Sequence, residues 1–354
     1  MRLLDRYIGR NVLSAMLATL LALVMLIGFV TLLDEAGNAG RGDYGMGDVF
    51  LYVLLLLPRF SYELFPVAVL LGSLIGLGGL ASHSELIAMR AAGVSLSRIV
   101  LAVMKAGVLA MLVMVIIGEL VAPVSEQYAE QLRSRQIAQN VTTQTPYGFW
   151  ARDGDAFINI RYVLSNTHLK DIYIYEFSEH YELQSAIHAA DAEYQGSHWL
   201  LKDIRQTRFT GDGVESERLT STTWSSMLNP DILDVVVTRP SVLPAWGLYQ
   251  YIQYLRENGL DARTYEVVFW GKIVSPLVIL VMIFLSVPFV FGSLRSVGVG
   301  QRIFVGALLG IGFLLLSKAF GNLAVVYQLN PLFAASFPGL LFFGVAFWFV
   351  RRIH

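Results

Sequence analysis

Six long apolar runs alternate with polar segments along this chain, three before and three after a stretch of different periodicity. They cover roughly 11–33, 49–80, 99–121, 265–291, 302–327 and 332–350. Each approaches or exceeds the about 20 helical residues that cross a hydrocarbon core. The second run holds about 32 residues and measures roughly 48 Å as a helix, more than a bilayer core requires. It must tilt, break or project, and Pro58 and Pro66 mark the expected bends.

Between the second and third runs lies GGLASHSELIAMRAAGVSLSRI, residues 78–99. Its apolar positions (Leu86, Ile87, Met89, Val94) alternate with charge (Glu85, Arg90, Arg98). Glu85 and Met89 stand one turn apart on one helical face. Ser82 or Ser84 is placed to cap such a helix, and Gly93 to stop it. The segment reads as a short surface helix between two spans, near 82–97, or more simply as a connecting loop.

Residues 125–261 switch to period-two alternation in FINIRYV, DIYIYEF, HWLLKDIRQTRF and VESERLTSTTW. This pattern marks strands with one buried face. Turn signals at Asp153-Gly154, Ser165-Asn166, 195–197 and 211–213 separate them. A helix is expected to lead in over 126–139 and another to lead out over 248–258, stopped by Gly259. The expected fold is an α-helical polytopic membrane protein of about six spans, three plus three, with an inserted all-β, jelly-roll-like domain. Its segments are 1–124, 125–261 and 262–354.

Composition agrees: 55% of residues are hydrophobic and 15% charged, where soluble domains average about a quarter charged. A net charge of −1 gives no bulk attraction to nucleic acid. The absence of cysteine excludes disulfides, thiolate catalysis and cysteine-based zinc sites. Arg2, Arg6, Arg10, Arg90, Arg98, Arg295, Arg302, Arg351 and Arg352 fall on one side of the spans, against Arg41 in the short loops of the other. The arginine-rich side reads as cytoplasmic, which puts both termini inside and the β-rich segment outside the inner membrane.

Candidate chemistry is sparse. Six histidines form no HExxH, and neither GxxxxGK[ST] nor GxSxG occurs, so no metal or cofactor is expected. Charges within the spans are costly and face protein or water. Arg59 and Glu63 sit one turn apart as an internal ion pair, and Lys105, Glu119 and Lys272 lie near span ends. Lys318, deep in the fifth run with Asn322 one turn on, faces an interior cavity or a partner subunit, and reads either as a substrate contact or as a packed polar contact between helices. Ser317-Lys318 does not align as nucleophile and base, because neighbours on a helix diverge by about 100°. The GxxxG at 72–76 permits close helix approach. Arg133 and Arg135, on the lead-in helix, suit a phosphate or carboxylate.

Three long stretches carry a family resemblance: LFPVAVLLGSLIGLGGLASHSELIAMRAAGVS (64–95), VMKAGVLAMLVMVIIGELVAPVSEQYA (103–129) and FGSLRSVGVGQRI (291–303). With the overall layout, they resemble the LptF/LptG family of lipopolysaccharide-export permeases over essentially the whole length. The resemblance implies a non-catalytic subunit of an ABC transporter. Its partners would be a second, LptF-like permease, a dimeric cytoplasmic LptB-like ATPase and a single-span LptC-like protein. Lipopolysaccharide would leave the outer leaflet of the inner membrane for a periplasmic bridge. The 82–97 segment becomes the coupling helix, with Ser84, Glu85, Met89, Arg90 and Gly93 on or near the ATPase contact. Arg41, Arg133, Arg135 and Lys318 become the substrate candidates. Where the family tends to have basic residues at the outer end of the first span, this chain has Asp34 and Glu35. Alternatives are a permease-like scaffold paired with an ATPase, a membrane-embedded enzyme, or the paralogous permease of the same complex.

Overall fold

The computed structural model describes residues 3–137, 149–165, 167–178, 180, 182–210, 213–224, 230, 240–291 and 298–351. Arg2, Arg295, Arg352 and His354 lie outside them, as do the side chain of Arg135 and the centre of the 291–303 motif. The chain divides into two compact units, residues 1–133 with 263–354, and residues 134–262.

The first unit is helical. Its elements are α1 (Leu3–Ala36), α2 (Met46–Ser82), α3 (Glu85–Ala91), α4 (Leu96–Ile116), a π-helical turn (Ile117–Val121) and the beginning of α5 (Ala122–Ile137). After the second unit come α7 (Arg263–Phe291), α8 (Val299–Val326) and α9 (Pro331–Arg351). Among the described residues six helices are long and apolar enough to cross a membrane, the third being the rod formed by α4, the π-turn and the first part of α5, Leu96–Arg133. The long second run does not break: α2 is continuous through Pro58 and Pro66. It is the central helix, 78% of its apolar window being buried, against 22% for α1 and 17% for α8. Leu70, Leu74 and Leu77 of α2 are fully buried among Val103 of α4 and Ile279 and Ile283 of α7. The GxxxG stretch serves the α1–α2 crossing. A Cβ on Gly72 would enter the Met16 backbone, and one on Gly76 would stand 3.0 Å from Val12 Cα.

Ionic contacts join these helices at points the apolar pattern does not reveal. Lys105 of α4 donates to Asp5 of α1 at 2.8 Å, and Arg133 of α5 donates to Glu35 of α1 at 2.8 Å. The expected Arg59–Glu63 pair forms at 2.9 Å, and Arg59 also donates to Glu126, whose side chain is 4% exposed. In the π-turn, Lys272 of α7 reaches the Gly118 carbonyl and the Glu119 carboxylate, its ammonium over the Tyr62 ring. A π-turn widens the backbone and spoils the regular i→i−4 ladder, which leaves a carbonyl open to such a donor.

Among its described residues the second unit holds six antiparallel strands and a helix: β1 (Phe149–Asp153), β2 (Ala156–Ser165), β3 (His168–Phe177), β4 (Leu183–Tyr194), β5 (Trp199–Thr210), β6 (Gly213–Trp224) and α6 (Ala245–Glu257). Among the described residues the strands form one antiparallel sheet in chain order, the β domain expected between the third and fourth spans. Short connections favour this topology, since each strand pairs with its sequence neighbour. β1 and β4 were not anticipated. β1 is only five residues long, and β4 is rich in alanine (Ala186, Ala189, Ala190, Ala192), which dilutes the alternating signal.

The buried rows explain why simple alternation fails mid-strand. Ile160, Ile172, Ala189, Ile204 and Leu219 are paired across β2–β6, and the first four are buried. Leu169, Ala192 and Leu201 form a second buried row three residues away in each strand. An odd offset should put the two rows on opposite faces. Asp171 (φ 54) and Asp203 (φ 50) stand between the rows in left-handed conformation, whereas β4 carries both rows, at Ala189 and Ala192, with no such residue between them. Helix α6 is tied to the β1–β2 turn: the Tyr254 hydroxyl donates to the Arg152 carbonyl at 2.7 Å, and the Gly154 N–H to Asn258 Oδ1 at 2.9 Å. Burial, then the nearby Asp153 charge, pushes the Tyr254 phenol up to about 12.

Candidate functional site

The short helix α3 is set by its two ends. Ser84 stands at the N-cap in left-handed conformation (φ 61) with no side-chain cap, and Ser82 bonds back to the Gly79 carbonyl instead. The expected serine cap is therefore absent, because a left-handed N-cap backbone aims the hydroxyl away from the first-turn N–H groups. The C-terminal stop forms as expected. Gly93 (φ 86) donates to Arg90 O and Val94 to Met89 O, both at 3.0 Å, a Schellman closure.

Seven residues are too few for a helix to stand alone, so α3 depends on its docking. Leu86 is buried, and Met89 and Val94 pack against the helical core. Ile87, expected among the apolar contacts, is 46% exposed. With Arg90 and the Val290 and Phe291 end of α7 it lines a groove of about 250 Å3. The Glu85 carboxylate accepts a hydrogen bond from the Tyr7 hydroxyl of α1 at 2.7 Å. Sequence spacing gave no hint of Tyr7, which lies 78 residues away. The five coupling candidates thus sit on one short, pinned element that presents Arg90 and Ile87 outward.

The substrate candidates fall in separate places. Arg41 is exposed in the turn between α1 and α2, where Tyr44 N donates to its carbonyl at 3.2 Å. Arg133 is held by Glu35 and lies over the Tyr52 ring, 5.6 Å from its centroid. The acidic residue that departs from the family pattern is therefore the partner of Arg133. Beside them Tyr44 is fully buried, and burial together with the Glu35 charge raises its phenol above the ordinary range. Arg135 belongs to the α5 backbone. Lys318 is elsewhere: with Ser317, Ser275, Tyr62 and Glu63 it supplies the polar wall of an otherwise apolar cavity of about 560 Å3 within the helical unit. Neither Arg41 nor Arg133 lines that cavity.

In the second unit, His168, Asp191 and Glu193 place one ligand atom each within 4.8 Å of one another, a grouping the histidine spacing did not show. His168 Nε2 already contacts both Asp191 oxygens at 2.9 and 3.0 Å, and Lys202 donates to Glu193 at 2.7 Å. These contacts make a cross-strand ionic ladder, and the Glu193 hydrogen bond holds the Lys202 ammonium above its usual range.

A pinned short helix between the second and third candidate spans, and a six-strand insert that follows the third in the chain, make up the layout that the sequence motifs resemble. A family model described as lipopolysaccharide export system permease LptF/LptG matches residues 6–352. The chain belongs to the LptF/LptG family. It is 38% identical over 351 residues to the lipopolysaccharide export system permease protein LptG of Haemophilus influenzae, covering 99% of this chain and 98% of that one. It is 37% identical over 352 residues, with the same shares covered, to the protein of that name from Escherichia coli K12. Membership spans both compact units, so the β-rich insert is part of the family architecture. Both relatives carry the LptG name.

Proposed function

We propose that this chain is a permease subunit that lifts lipopolysaccharide from the outer leaflet of the inner membrane toward a periplasmic bridge, driven by ATP hydrolysis on a separate chain. The observation that carries this reading is α3. It is a seven-residue helix docked by Leu86 and Met89 onto the core and held to α1 through Glu85 and Tyr7. A force applied there passes into the spans as a rigid-body displacement. Ser84, Glu85, Met89, Arg90 and Gly93 meet the ATPase dimer, which docks against the groove beside Arg90. A second, LptF-like permease covers the exposed faces of α1 and α8, and a single-span LptC-like partner completes the assembly. Both termini are cytoplasmic and the β-rich unit is periplasmic. Arg41, Arg133, Arg135 and Lys318 are the basic groups offered to the substrate: the arginines to its phosphates, Lys318 to the part that enters the helical cavity.

The test is purification in mild detergent with identification of every co-purifying chain. The expected companions are an ATPase and a second permease. Glu85→Ala is expected to lower co-purification of the ATPase and ATP-dependent glycolipid release together. Robust ATP hydrolysis by the chain alone would overturn the division of labour.

A further inference from the structure

One face of the β-rich unit carries chemistry that this reading leaves unused. The strand register aligns Trp150, Asn159, Tyr173, His188, Arg205 and Arg218 directly opposite one another, one from each of β1 to β6. Residues directly opposite share a face, so these six form a single row across the sheet, on the side away from the buried isoleucines, with Asn159 buried within it and the two ends exposed. The row spans about five inter-strand spacings, roughly 24 Å.

Its two ends differ. At the β1–β3 end, Trp150 is 54% exposed and stacks on Tyr175 of the adjoining row, with centroids 6.0 Å apart and planes at 23°. Phe157 and Phe177 complete a shallow groove of about 360 Å3 with these two. At the β5–β6 end, Arg205 and Arg218 are exposed and face each other in register. Among the described residues neither meets a carboxylate within ion-pair distance. Like charges directly opposite destabilise a sheet, and an anion bridging them reverses the sign of that contact. Between the ends, Arg161 lies over the Tyr173 ring, and Asp171, the nearby acid, is shared by Arg161 and His188.

We propose that this face binds a phosphorylated oligosaccharide laid across the strands, its sugar rings on the Trp150–Tyr175 platform and a phosphate between Arg205 and Arg218. Aromatic faces receive the C–H faces of sugar rings, and paired guanidinium groups fit phosphate oxygens. The source is the saccharide portion of the exported glycolipid, so the inference rests on the permease reading and assigns the β-rich unit to the sugar end of the substrate.

The test uses the full chain in detergent micelles and a deacylated, phosphorylated core oligosaccharide, titrated by calorimetry. Saturable binding is expected. Arg205→Gln with Arg218→Gln should weaken it by about tenfold, and Trp150→Ala by about fivefold. Arg205→Lys with Arg218→Lys should recover part of the loss, which separates charge from folding. Phosphatase treatment of the sugar should match the double glutamine variant. No saturable binding, equal affinity of the glutamine variant, or indifference to phosphatase each overturns the proposal. So does a photo-crosslinker at position 205 that captures protein and no glycan, since the face would then be a protein interface. ATP-driven extraction of intact glycolipid is measured in parallel in the assembled complex. Extraction that persists without oligosaccharide binding refutes only this inference, and absent extraction refutes the permease reading.

Discussion

The Arg59 network gives an ordering of mutational effects that follows from exposure alone. Arg59 stands between two carboxylates: Glu126, with a side chain 4% exposed, and Glu63, 49% exposed. Arg59→Met leaves Glu126 buried without its cation, while Glu63 turns to its more polar surroundings. Stripping one partner from a buried pair costs about 3–5 kcal/mol, and the 28% exposure of Arg59 puts this variant near the lower end, about 3 kcal/mol. Glu126→Gln keeps an acceptor for the guanidinium and loses only the charge, about 1–2 kcal/mol. Glu63→Gln touches a half-exposed i,i+4 pair, under about 0.5 kcal/mol. Arg59→Met with Glu126→Leu removes both buried charges and should recover most of the loss. The assay is reversible unfolding of the purified chain in mixed detergent micelles, followed by circular dichroism. Glu63→Gln as the most damaging single change, or a double variant no better than Arg59→Met, would refute the reasoning.

Other changes test other contacts. Tyr254→Phe removes the hydroxyl that holds α6 to the β1–β2 turn and should cost about 1 kcal/mol in the β-rich unit, measured by hydrogen exchange at the Arg152 turn. The folded phenol near 12 lies above its unfolded value near 10. The unfolded chain therefore loses that proton first, and the contribution of Tyr254 is complete below pH 10 and lost between pH 10 and about 12. The phenylalanine variant should lack this part of the alkaline decline. Gly76→Leu forces α1 and α2 apart at Val12 and should lower the yield of folded protein, read by size-exclusion profile in detergent. Arg133→Glu sets a second carboxylate against Glu35, so it should loosen α5 from α1 and weaken crosslinking to a phosphorylated glycolipid; unchanged crosslinking would remove the phosphate role.

The helical part was legible because length and apolarity alone define a span, and all six runs became helices, although the first begins at Leu3 and the third continues to Arg133, well beyond their apolar limits. The strands with β-branched and aromatic alternation were legible for the same local reason. Alanine-rich β4 was not, and neither were the left-handed Asp171 and Asp203, because such a backbone leaves no mark in a hydrophobicity pattern. At the site, Glu85, Met89 and Gly93 could be put on one helix from spacing, and Gly93 ended it as expected. The serine cap failed because backbone conformation at Ser84, not residue type, decided it. Arg59–Glu63 was visible at i,i+4. Tyr7–Glu85, Asp5–Lys105, Glu35–Arg133 and Arg59–Glu126 were not, because each joins residues 67 to 100 positions apart.

Two of those distant pairs have a joint effect. Asp5 and Glu35 lie about 45 Å apart along α1, and Lys105 and Arg133 about 42 Å apart along the rod that runs from α4 into α5. The helices are thus two bars of nearly equal length, pinned to each other at both ends. Such a linkage lets the bars lean together and resists one leaning alone. A push on Tyr7 through Glu85 at one end should therefore swing Arg133 at the other, unless a pin opens first.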